Sequence, residues 1–426
     1  MIVLVLVGIP VYVSILLCSV IGLWILGGSQ MALTQLSTGI LTIASSYDYA
    51  VIPLFILVGV MAGITGMAEG TFDAAKTWLG WARGGLLYTV VIANAIFGAC
   101  SGVSTAGTVV FSKIAAPQLK KQGYDEKITL GCITASSCLS TLIPPSIAIL
   151  TLCLLANISI GTGLMAGLSA GILMVVMLCV FIFIRARINK NLVPPVTEAD
   201  RSVTWRDRGR ALGLLIPILA IFVLIVLGSF LGWFPATVGG GIASVAIMIY
   251  AVAKPNGLNF KQLLVGIREA STTFAGLFLI LVGGSLFSRL VTISGLASGL
   301  LSLIDNLGVA PWMVFMIVII FYILCGCVMN CMTIIIITIP IVFPMLTAVG
   351  FNPFAVCIIL VLLAELGGIT PPFGLSVFMV SNVLRISPKK VFGGSWPFLI
   401  LFLAMVMIGV FFPKIFLWLP TLIGAI

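Results

Sequence analysis

The chain carries the stretch Ile143-Pro144-Pro145-Ser146 in its first half and the stretch Thr370-Pro371-Pro372-Phe373 in its second, each within a long apolar run. The two proline pairs are 227 residues apart (371 − 144 = 227). Two other elements recur at the same interval, Pro117 as Pro344 and Gly123-Tyr124-Asp125 as Gly350-Phe351-Asn352. So regular a duplication within membrane-spanning sequence is typical of a transporter.

The proline pairs have a direct physical consequence. Proline has no backbone N–H, so it breaks a helix and leaves carbonyl groups without intrahelical partners. Deep in a bilayer, such carbonyls persist only where protein, water or an ion satisfies them. The sequence therefore predicts two broken helices, each beside a polar site.

Composition places the chain in a membrane. Hydrophobic residues make up 61% of the 426 residues and charged residues only 8%, which is far too apolar for a soluble protein. The apolar run Met1–Gly27 has no basic leader, so we interpret it as a retained first span and not as a signal peptide. Ten cysteines are scattered through the chain and histidine is absent, which favours buried small hydrophobes over a metal site.

Charges in the loops predict the topology. Residues 185–210 contain seven basic side chains and three acidic ones, so the positive-inside bias places this linker in the cytoplasm. The chain divides there into a first repeat (1–184), a connecting region (185–235) and a second repeat (236–426). The loop Gly28–Tyr47 has no Lys or Arg and is assigned to the outside. This topology puts the N-terminus in the cytoplasm and the C-terminus, after a last span at Pro397–Phe412, in the periplasm.

The segment Leu86–Pro117 is too long for one span. At about 1.5 Å per residue it would reach roughly 48 Å, against a hydrocarbon core of roughly 30 Å. We interpret it as a re-entrant helical hairpin with its turn at Ser101–Thr105, and Pro311–Pro344 as its counterpart. The loop after the first hairpin has three lysines and the loop after the second has none, so the hairpins enter from opposite faces.

The predicted fold is therefore an all-α polytopic membrane protein with an inverted-topology repeat, two re-entrant hairpins and two Pro-broken helices. Two less apolar stretches precede the hairpins, Thr71–Arg83 and Ser298–Gly308. Trp78 and Trp81 in the first of them suit a membrane–water boundary. We interpret both stretches as interfacial helices, the alternative being ordinary polar connections.

The chain lacks the residues of an ATP-driven pump or of an enzyme. It has no Gly-x-x-x-x-Gly-Lys loop and no histidine, so transport would draw its energy from a gradient or from a partner protein. Four polar, broken elements are candidates for a site in the middle of the membrane: 101–105, 141–146, 329–333 and 367–376. Carbonyl and hydroxyl oxygens at broken helix ends suit sodium, and the N-termini of half-helices attract an anion.

These elements supply two sets of candidate residues. The candidate sodium ligands are Ser101, Gly102, Thr141, Pro144, Met329, Thr333, Gly367, Thr370 and Pro371. The candidate substrate-binding residues are Ser101, Gly102, Ser104, Thr105, Pro145, Ser146, Asn330, Thr370, Pro372, Gly374 and Ser376. For the small polar residues, the alternative is close helix packing in the membrane. Sodium is the expected coupling ion, with no organic cofactor and no transition metal.

Glu365 is a lone acidic residue inside a hydrophobic run, close to the second proline pair. A charged group at such a place is costly enough that a functional role is the first expectation. The alternative is a neutral, hydrogen-bonded structural carboxyl.

The ordered motifs resemble the large membrane subunit, of the DctM type, of tripartite ATP-independent periplasmic (TRAP) transporters. The resemblance runs through nearly the whole chain and is carried by Ile52–Leu57, Ser101-Gly102, Lys120–Asp125, Ile143–Ser146, Ile339-Pro340 and Ile369–Leu375. It implies an elevator-type carrier in the bacterial inner membrane, driven by sodium, whose hairpins and broken helices form a moving transport domain. It also implies two partners, a small membrane subunit of about four helices and a periplasmic binding protein that delivers an organic acid.

The resemblance is incomplete in both hairpins. Where the family commonly has Ser-Gly-Ser followed by an Asp, this chain has Ser101-Gly102-Val103 and then Gly107. Where the family often has Met-Asp-Pro, it has Met329-Asn330-Cys331. The loss of two acids beside the expected site points to a divergent substrate, which makes a sulfonate an alternative to a carboxylate or a sialate.

Two other functions fit the same pattern. An autonomous sodium-coupled symporter for divalent anions has a related hairpin architecture and would need no partner protein. An anion channel can also be built from two re-entrant hairpins. Opposite-facing hairpins beside broken helices favour alternating access, and therefore a carrier, over an open pore.

Overall fold

The computed structural model describes residues 4–5, 7–196, 202–230, 233–254 and 257–424, and within these residues the chain is helical, with no β-strand. Three residues of the linker that contributed to its predicted cytoplasmic charge, Glu198, Asp200 and Arg201, lie outside the described residues.

Eight α-helices are described in the first half from Val11 onward, and they are joined by short connections. They are α1 (Val11–Ser45), α2 (Val51–Ile64), α3 (Met67–Leu79), α4 (Gly85–Ser101), α5 (Ser104–Lys121), α6 (Glu126–Ser137), α7 (Ile147–Ala156) and α8 (Ile160–Ile188). A short 3-10 helix, Cys138–Thr141, continues α6 toward the first proline pair. In the linker, α9 (Trp205–Leu212) begins with a capping box, because the side chains of Thr204 and Asp207 each accept the other residue's backbone N–H.

The second half has a similar order of helices. It contains α10 (Ile216–Phe230), α11 (Ala236–Ala253), α12 (Phe260–Ile293), α13 (Leu296–Leu307), α14 (Pro311–Gly326), α15 (Cys331–Ala348), α16 (Pro353–Ile369), α17 (Leu375–Leu384), α18 (Pro388–Phe411) and α19 (Lys414–Leu422). Helix α15 begins and ends 227 residues after α5 (331 − 104 = 348 − 121 = 227). The bounds of these two helices therefore keep the interval of the sequence motifs.

The helices have the length and composition of membrane spans. Seven helices among the described residues are long and apolar enough to cross a membrane, and α9 with the start of α10, which meet at a 50° bend, would make an eighth. In α1 only 22% of the most apolar window is buried within the chain, and Trp24 and Ile25 are exposed. So much exposed apolar surface is stable only in lipid or against a partner. The chain is an all-helical, multi-span membrane protein.

The predicted outer loop Gly28–Tyr47 is wrong, because α1 continues to Ser45. The helix is kinked at Gly27 and Gly28, whose backbone angles are not helical, with Gly28 at φ 77°. Glycine adopts a positive φ without steric cost, so the glycine pair bends the helix. The segment from Ser29 to Ser45 contains no proline, and it is helical again after the kink.

Prolines at which predicted elements begin or end lie inside continuous helices. Pro117 is within α5, Pro344 within α15 and Pro397 within α18. Proline is tolerated in membrane helices where neighbouring groups satisfy the freed carbonyl, so it does not mark an end there. The predicted last span, Pro397–Phe412, lies within α18 apart from its final residue. Helix α18 is the last helix long enough to cross a membrane among the described residues, and the short helix α19 follows it. The two stretches predicted as interfacial helices are helical in the structure, as α3 and α13.

Arg289, on α12, holds the second part of α1. Its Nη1 donates to the side-chain oxygen of Gln35 at 2.7 Å and to the hydroxyl of Thr38 at 2.6 Å. Within the described part of the chain no acidic side chain pairs with it, because the one ion pair found there joins Lys390 and Glu126. A charged donor with neutral acceptors therefore fixes α1 beyond its kink.

We expect Arg289→Met to lower the melting temperature in detergent, because Gln35 and Thr38 lose a charged hydrogen-bond donor. The cost should be about 1–2 kcal/mol, since hydrogen bonds within membranes contribute about 1 kcal/mol and charged donors somewhat more. The matched control is Arg268→Met, at an exposed position of the same helix. Equal melting temperatures for the two variants would show that apolar packing alone holds α1.

Candidate functional site

The first helix pair, α4 and α5, turns at Gly102, directly against the first proline pair. Gly102 has φ 65°, and a Cβ atom there would lie 2.5 Å from the carbonyl oxygen of Pro145. The Ile147 N–H donates to the Gly102 carbonyl at 3.3 Å. Both the positive φ and the close backbone approach require glycine. The turn of the first pair is thus packed on the break between α6 and α7.

The second helix pair, α14 and α15, makes the corresponding contact in its own half. The Cys327 Sγ atom lies 3.1 Å from the Pro371 carbonyl oxygen and 3.1 Å from the Ile323 carbonyl oxygen, so its one hydrogen can be donated to either. A Cβ atom on Gly326 would lie 2.5 Å from the Cα atom of Gly367, so the two backbones touch. The Pro144-Pro145 and Pro371-Pro372 peptide bonds are both cis. Each helix-pair turn therefore lies on the proline break of the same half.

The two halves meet at Glu365. This residue of α16 is 2% exposed, and its Oε1 accepts a hydrogen bond from the Ser104 hydroxyl at 3.0 Å. The side chains of Cys138, Thr141 and Cys331 lie next to the same carboxyl. These neighbours come from both helix pairs and from the first break, and Glu365 itself lies next to the second. The four polar, broken elements predicted from the sequence thus converge on one carboxyl group.

A cavity of about 850 Å³ opens at this junction. Eight of the predicted site residues line it: Ser101, Gly102, Ser104, Thr105, Thr141, Asn330, Glu365 and Ser376. This volume lies within the range of small-molecule sites, about 300–1,000 Å³. The cavity is large enough for an organic acid.

The other predicted site residues are not on the cavity wall: Pro144, Pro145, Ser146, Met329, Thr333, Gly367, Thr370, Pro371, Pro372 and Gly374. Several of them build the turns behind it. Ser146 caps α7 by accepting the Ile149 N–H at 3.2 Å. The Thr370 hydroxyl donates to the Leu366 carbonyl at 2.7 Å.

The two proline breaks are not equivalent. All residues from Thr141 to Leu150 are buried, so the first break is enclosed. In the second, Pro371, Pro372 and Phe373 are exposed. An enclosed break can serve the cavity only through its carbonyls and its neighbours, whereas the exposed one is free to contact water, lipid or a partner.

Another part of the cavity wall was not predicted from the sequence motifs. It consists of one face of α2 and one face of α12, and the α12 face comprises Glu269, Thr272, Thr273, Gly276, Leu277 and Ile280. These positions recur at intervals of three and four, the period of a helix face. That periodicity, with polar and small residues in an apolar helix, was the signal available in the sequence. Lys113 of α5 is the one basic residue on the described wall.

Three hydroxyl groups near the junction, those of Ser101, Ser140 and Thr333, have no hydrogen-bond partner in the structure, and two of them belong to predicted sodium ligands. Ser101 Oγ and Thr333 Oγ1 are unpaired, and each side chain is 1% exposed. A buried, unsatisfied hydroxyl costs about 1–3 kcal/mol, so an oxygen-seeking ion would relieve it. Sodium takes such oxygens as ligands, together with carbonyls at helix breaks. The Ser101 and Thr333 hydroxyl groups each have the chemistry of a sodium ligand.

A multi-span helical protein whose broken helices meet at a cavity with polar groups on a largely apolar wall has the architecture of a membrane transporter. Residues 1–415 match the family model described as tripartite ATP-independent periplasmic transporter, DctM component, and the chain belongs to this family. It is thus a TRAP transporter large permease.

Named relatives carry different cargoes. The chain is 29% identical over 379 residues to the C4-dicarboxylate large permease DctM of Pseudomonas aeruginosa, covering 89% of this chain and 87% of the relative. It is 26% identical to the ectoine/5-hydroxyectoine permease UehC of Ruegeria pomeroyi, covering 99% and 97%. It is 24% identical to the 2,3-diketo-L-gulonate permease YiaN of Escherichia coli, covering 96% and 94%.

The fold is also found in a solved structure. Neisseria gonorrhoeae MtrF, described as illuminating a class of antimetabolite efflux pumps, superposes with a TM-score of 0.53 at 13% sequence identity. The match covers 89% of this chain and 85% of MtrF. This likeness concerns the fold alone.

Proposed function

We propose that this permease imports an organic acid, a carboxylate, a sialate or a sulfonate, using a sodium gradient. The observation that carries the proposal is the cavity at which both helix pairs and both proline breaks meet, with the unpaired hydroxyl of Ser101 on its wall. The sequence match to the DctM family supports the same assignment.

The anion site we propose includes the N-terminus of α5. The residue before that helix is Val103, whose side chain cannot cap it, so the first N–H groups of α5 have no side-chain acceptor. Ser104 and Thr105, in the first turn, line the cavity. Helix α15 differs, because Asn330 caps it by accepting the Thr333 N–H at 2.8 Å. Helix α17, like α5, is uncapped, at Gly374, and its first residues Leu375 and Ser376 line the cavity, so an acidic group of the substrate has the N-termini of both α5 and α17 available.

The mechanism we propose is an elevator. The two helix pairs and two broken helices form the transport domain, the hairpins are re-entrant, and the halves are inverted-topology repeats spanning 1–184 and 236–426 around the connecting region 185–235. The contacts of each turn with its own break, and of Ser104 with Glu365, support movement of these elements as one body. We place the chain in the bacterial inner membrane with a cytoplasmic N-terminus and linker and a periplasmic C-terminus.

Two partners complete the proposal, a small membrane subunit of about four helices and a periplasmic binding protein. Gentle affinity purification from the native membrane, followed by mass spectrometry, should recover the small subunit in stoichiometric amount. Proteoliposomes with this subunit and the binding protein should accumulate a solute from a metabolite mixture when sodium is high outside.

The alternatives give different results in the same experiment. Accumulation by this chain alone would identify an autonomous sodium–anion symporter. Solute flux that only follows its own gradient would identify a channel. Accumulation that persists when potassium replaces sodium would remove sodium as the coupling ion.

A further inference from the structure

Glu365 is the only acidic side chain that is buried within the described residues. It lies in a stretch of α16 whose neighbours, from Ala355 to Gly367, are all buried. The Ser104 hydroxyl, 261 residues away in the chain, holds one carboxyl oxygen in place. The carboxyl is therefore fixed at the junction of the two halves and also faces the cavity.

Among the described residues, no cationic side chain lies beside this group. The side chains next to it, those of Ser104, Cys138, Thr141 and Cys331, are all uncharged. Lys113, on the cavity wall, is exposed and lies nine residues beyond Ser104 on α5, about 13 Å along the helix axis. A buried carboxylate without a partner is costly, so the group is either protonated or balanced by a cation from outside the protein.

The oxygen atoms at the junction suit a small, hard cation. The unpaired Ser101 hydroxyl lies one helix break before Ser104 and lines the same cavity as Glu365. Thr141, also on that wall, uses its hydroxyl hydrogen for the Cys138 carbonyl and so has oxygen lone pairs left for a cation. Hard cations take oxygen ligands of this kind.

We propose that the Glu365 carboxylate is the fixed negative charge that draws the coupling sodium ion to the junction of the four breaks. This proposal rests on the sodium-driven function proposed above. The proposal also predicts that sodium binds before the substrate anion. The carboxylate touches the first residue of α5, where the substrate anion is to bind, and repels that anion until a sodium ion neutralises it.

The test uses sodium itself as the probe, because no substrate need be known. The melting temperature of the purified protein is measured as sodium chloride replaces potassium chloride at constant ionic strength. We expect sodium to raise the melting temperature of the wild type. In Glu365→Gln, which keeps a hydrogen-bond acceptor for Ser104 but no charge, the sodium concentration giving half the rise should increase by about tenfold or more.

Two further variants complete the experiment. Glu126→Gln removes an exposed carboxylate and should respond as the wild type does. Ser104→Ala removes the hydrogen bond to the carboxylate but leaves its charge. The sodium concentration giving half the rise in melting temperature should increase several-fold in this variant. It provides a test if Glu365→Gln does not fold. Unchanged sodium responses in Glu365→Gln or, failing that variant, in Ser104→Ala would overturn the proposal. A wild type that does not respond to sodium would instead overturn the sodium-driven function on which it rests.

Discussion

Gly367→Ala should lower transport by more than about tenfold. A Cβ atom on Gly367 would lie 2.4 Å from the Cα atom of Gly326, and backbone atoms cannot yield as a flexible side chain can. The second helix pair would have to move away from the break of α16, and overpacking of this kind costs about 1–3 kcal/mol. Because the sodium ligands we propose lie on both sides of this contact, a small displacement separates them. Sodium-driven uptake in proteoliposomes measures the effect.

The contact is reciprocal, which gives an internal check. Gly326→Ala places a Cβ atom 2.5 Å from the Cα atom of Gly367 and should cause the same loss. The control is Gly241→Ala in α11, where no atom lies within 4 Å of the added Cβ. Uptake equal to that of the control in both variants would show that the helix pair and the break need not touch during transport.

Much of this site was predictable because prolines and small polar residues mark helix breaks locally. The proline pairs located the two breaks, and Ser101 to Thr105 located the turn between α4 and α5. Each of these signals depends on the chemistry of adjacent residues, such as the missing N–H of proline. The Pro-Pro pairs could therefore be identified as helix breaks from the sequence, whereas the single prolines inside α5, α15 and α18 do not end their helices.

The contacts that join the helix breaks to one another were not predictable from the sequence. The Ser104–Glu365 hydrogen bond spans 261 residues, and no periodicity or composition relates its two partners. The same holds for the enclosure of the first break and the exposure of the second, although both contain Pro-Pro. These differences arise from packing between distant helices, which a duplicated motif does not specify.

The kink of α1 shows a further limit. A glycine pair followed by Ser, Thr and Gln has the composition of a loop, yet α12 packs along this segment and Arg289 bonds to Gln35 and Thr38. In a membrane every backbone group needs a partner, so a polar segment without proline stays helical where a neighbour covers it. Tertiary contacts decided the structure here against the local signal.

The unpaired hydroxyl groups of Ser101 and Thr333 allow a prediction that distinguishes ion binding from packing. The two roles predict different effects of sodium on the stability of the alanine variants. If Ser101 only packs, Ser101→Ala removes an unsatisfied buried group and should stabilise the protein by about 0–1 kcal/mol at any sodium concentration. If its oxygen binds sodium, the same variant should gain stability without sodium and lose much of the sodium-dependent rise in melting temperature. We expect the second result, with a half-point raised about tenfold, and a similar result for Thr333→Ala.

Ser112 is the matched control, because its hydroxyl is also buried and unpaired, on α5, but it does not line the cavity. Ser112→Ala should gain the same stability and keep the full sodium response, since only the cost of the unsatisfied group is removed. Identical behaviour of Ser101→Ala and Ser112→Ala would exclude Ser101 as a sodium ligand. A difference confined to the sodium response would assign the ion to the turn between α4 and α5, because both variants delete the same atom from the same kind of environment.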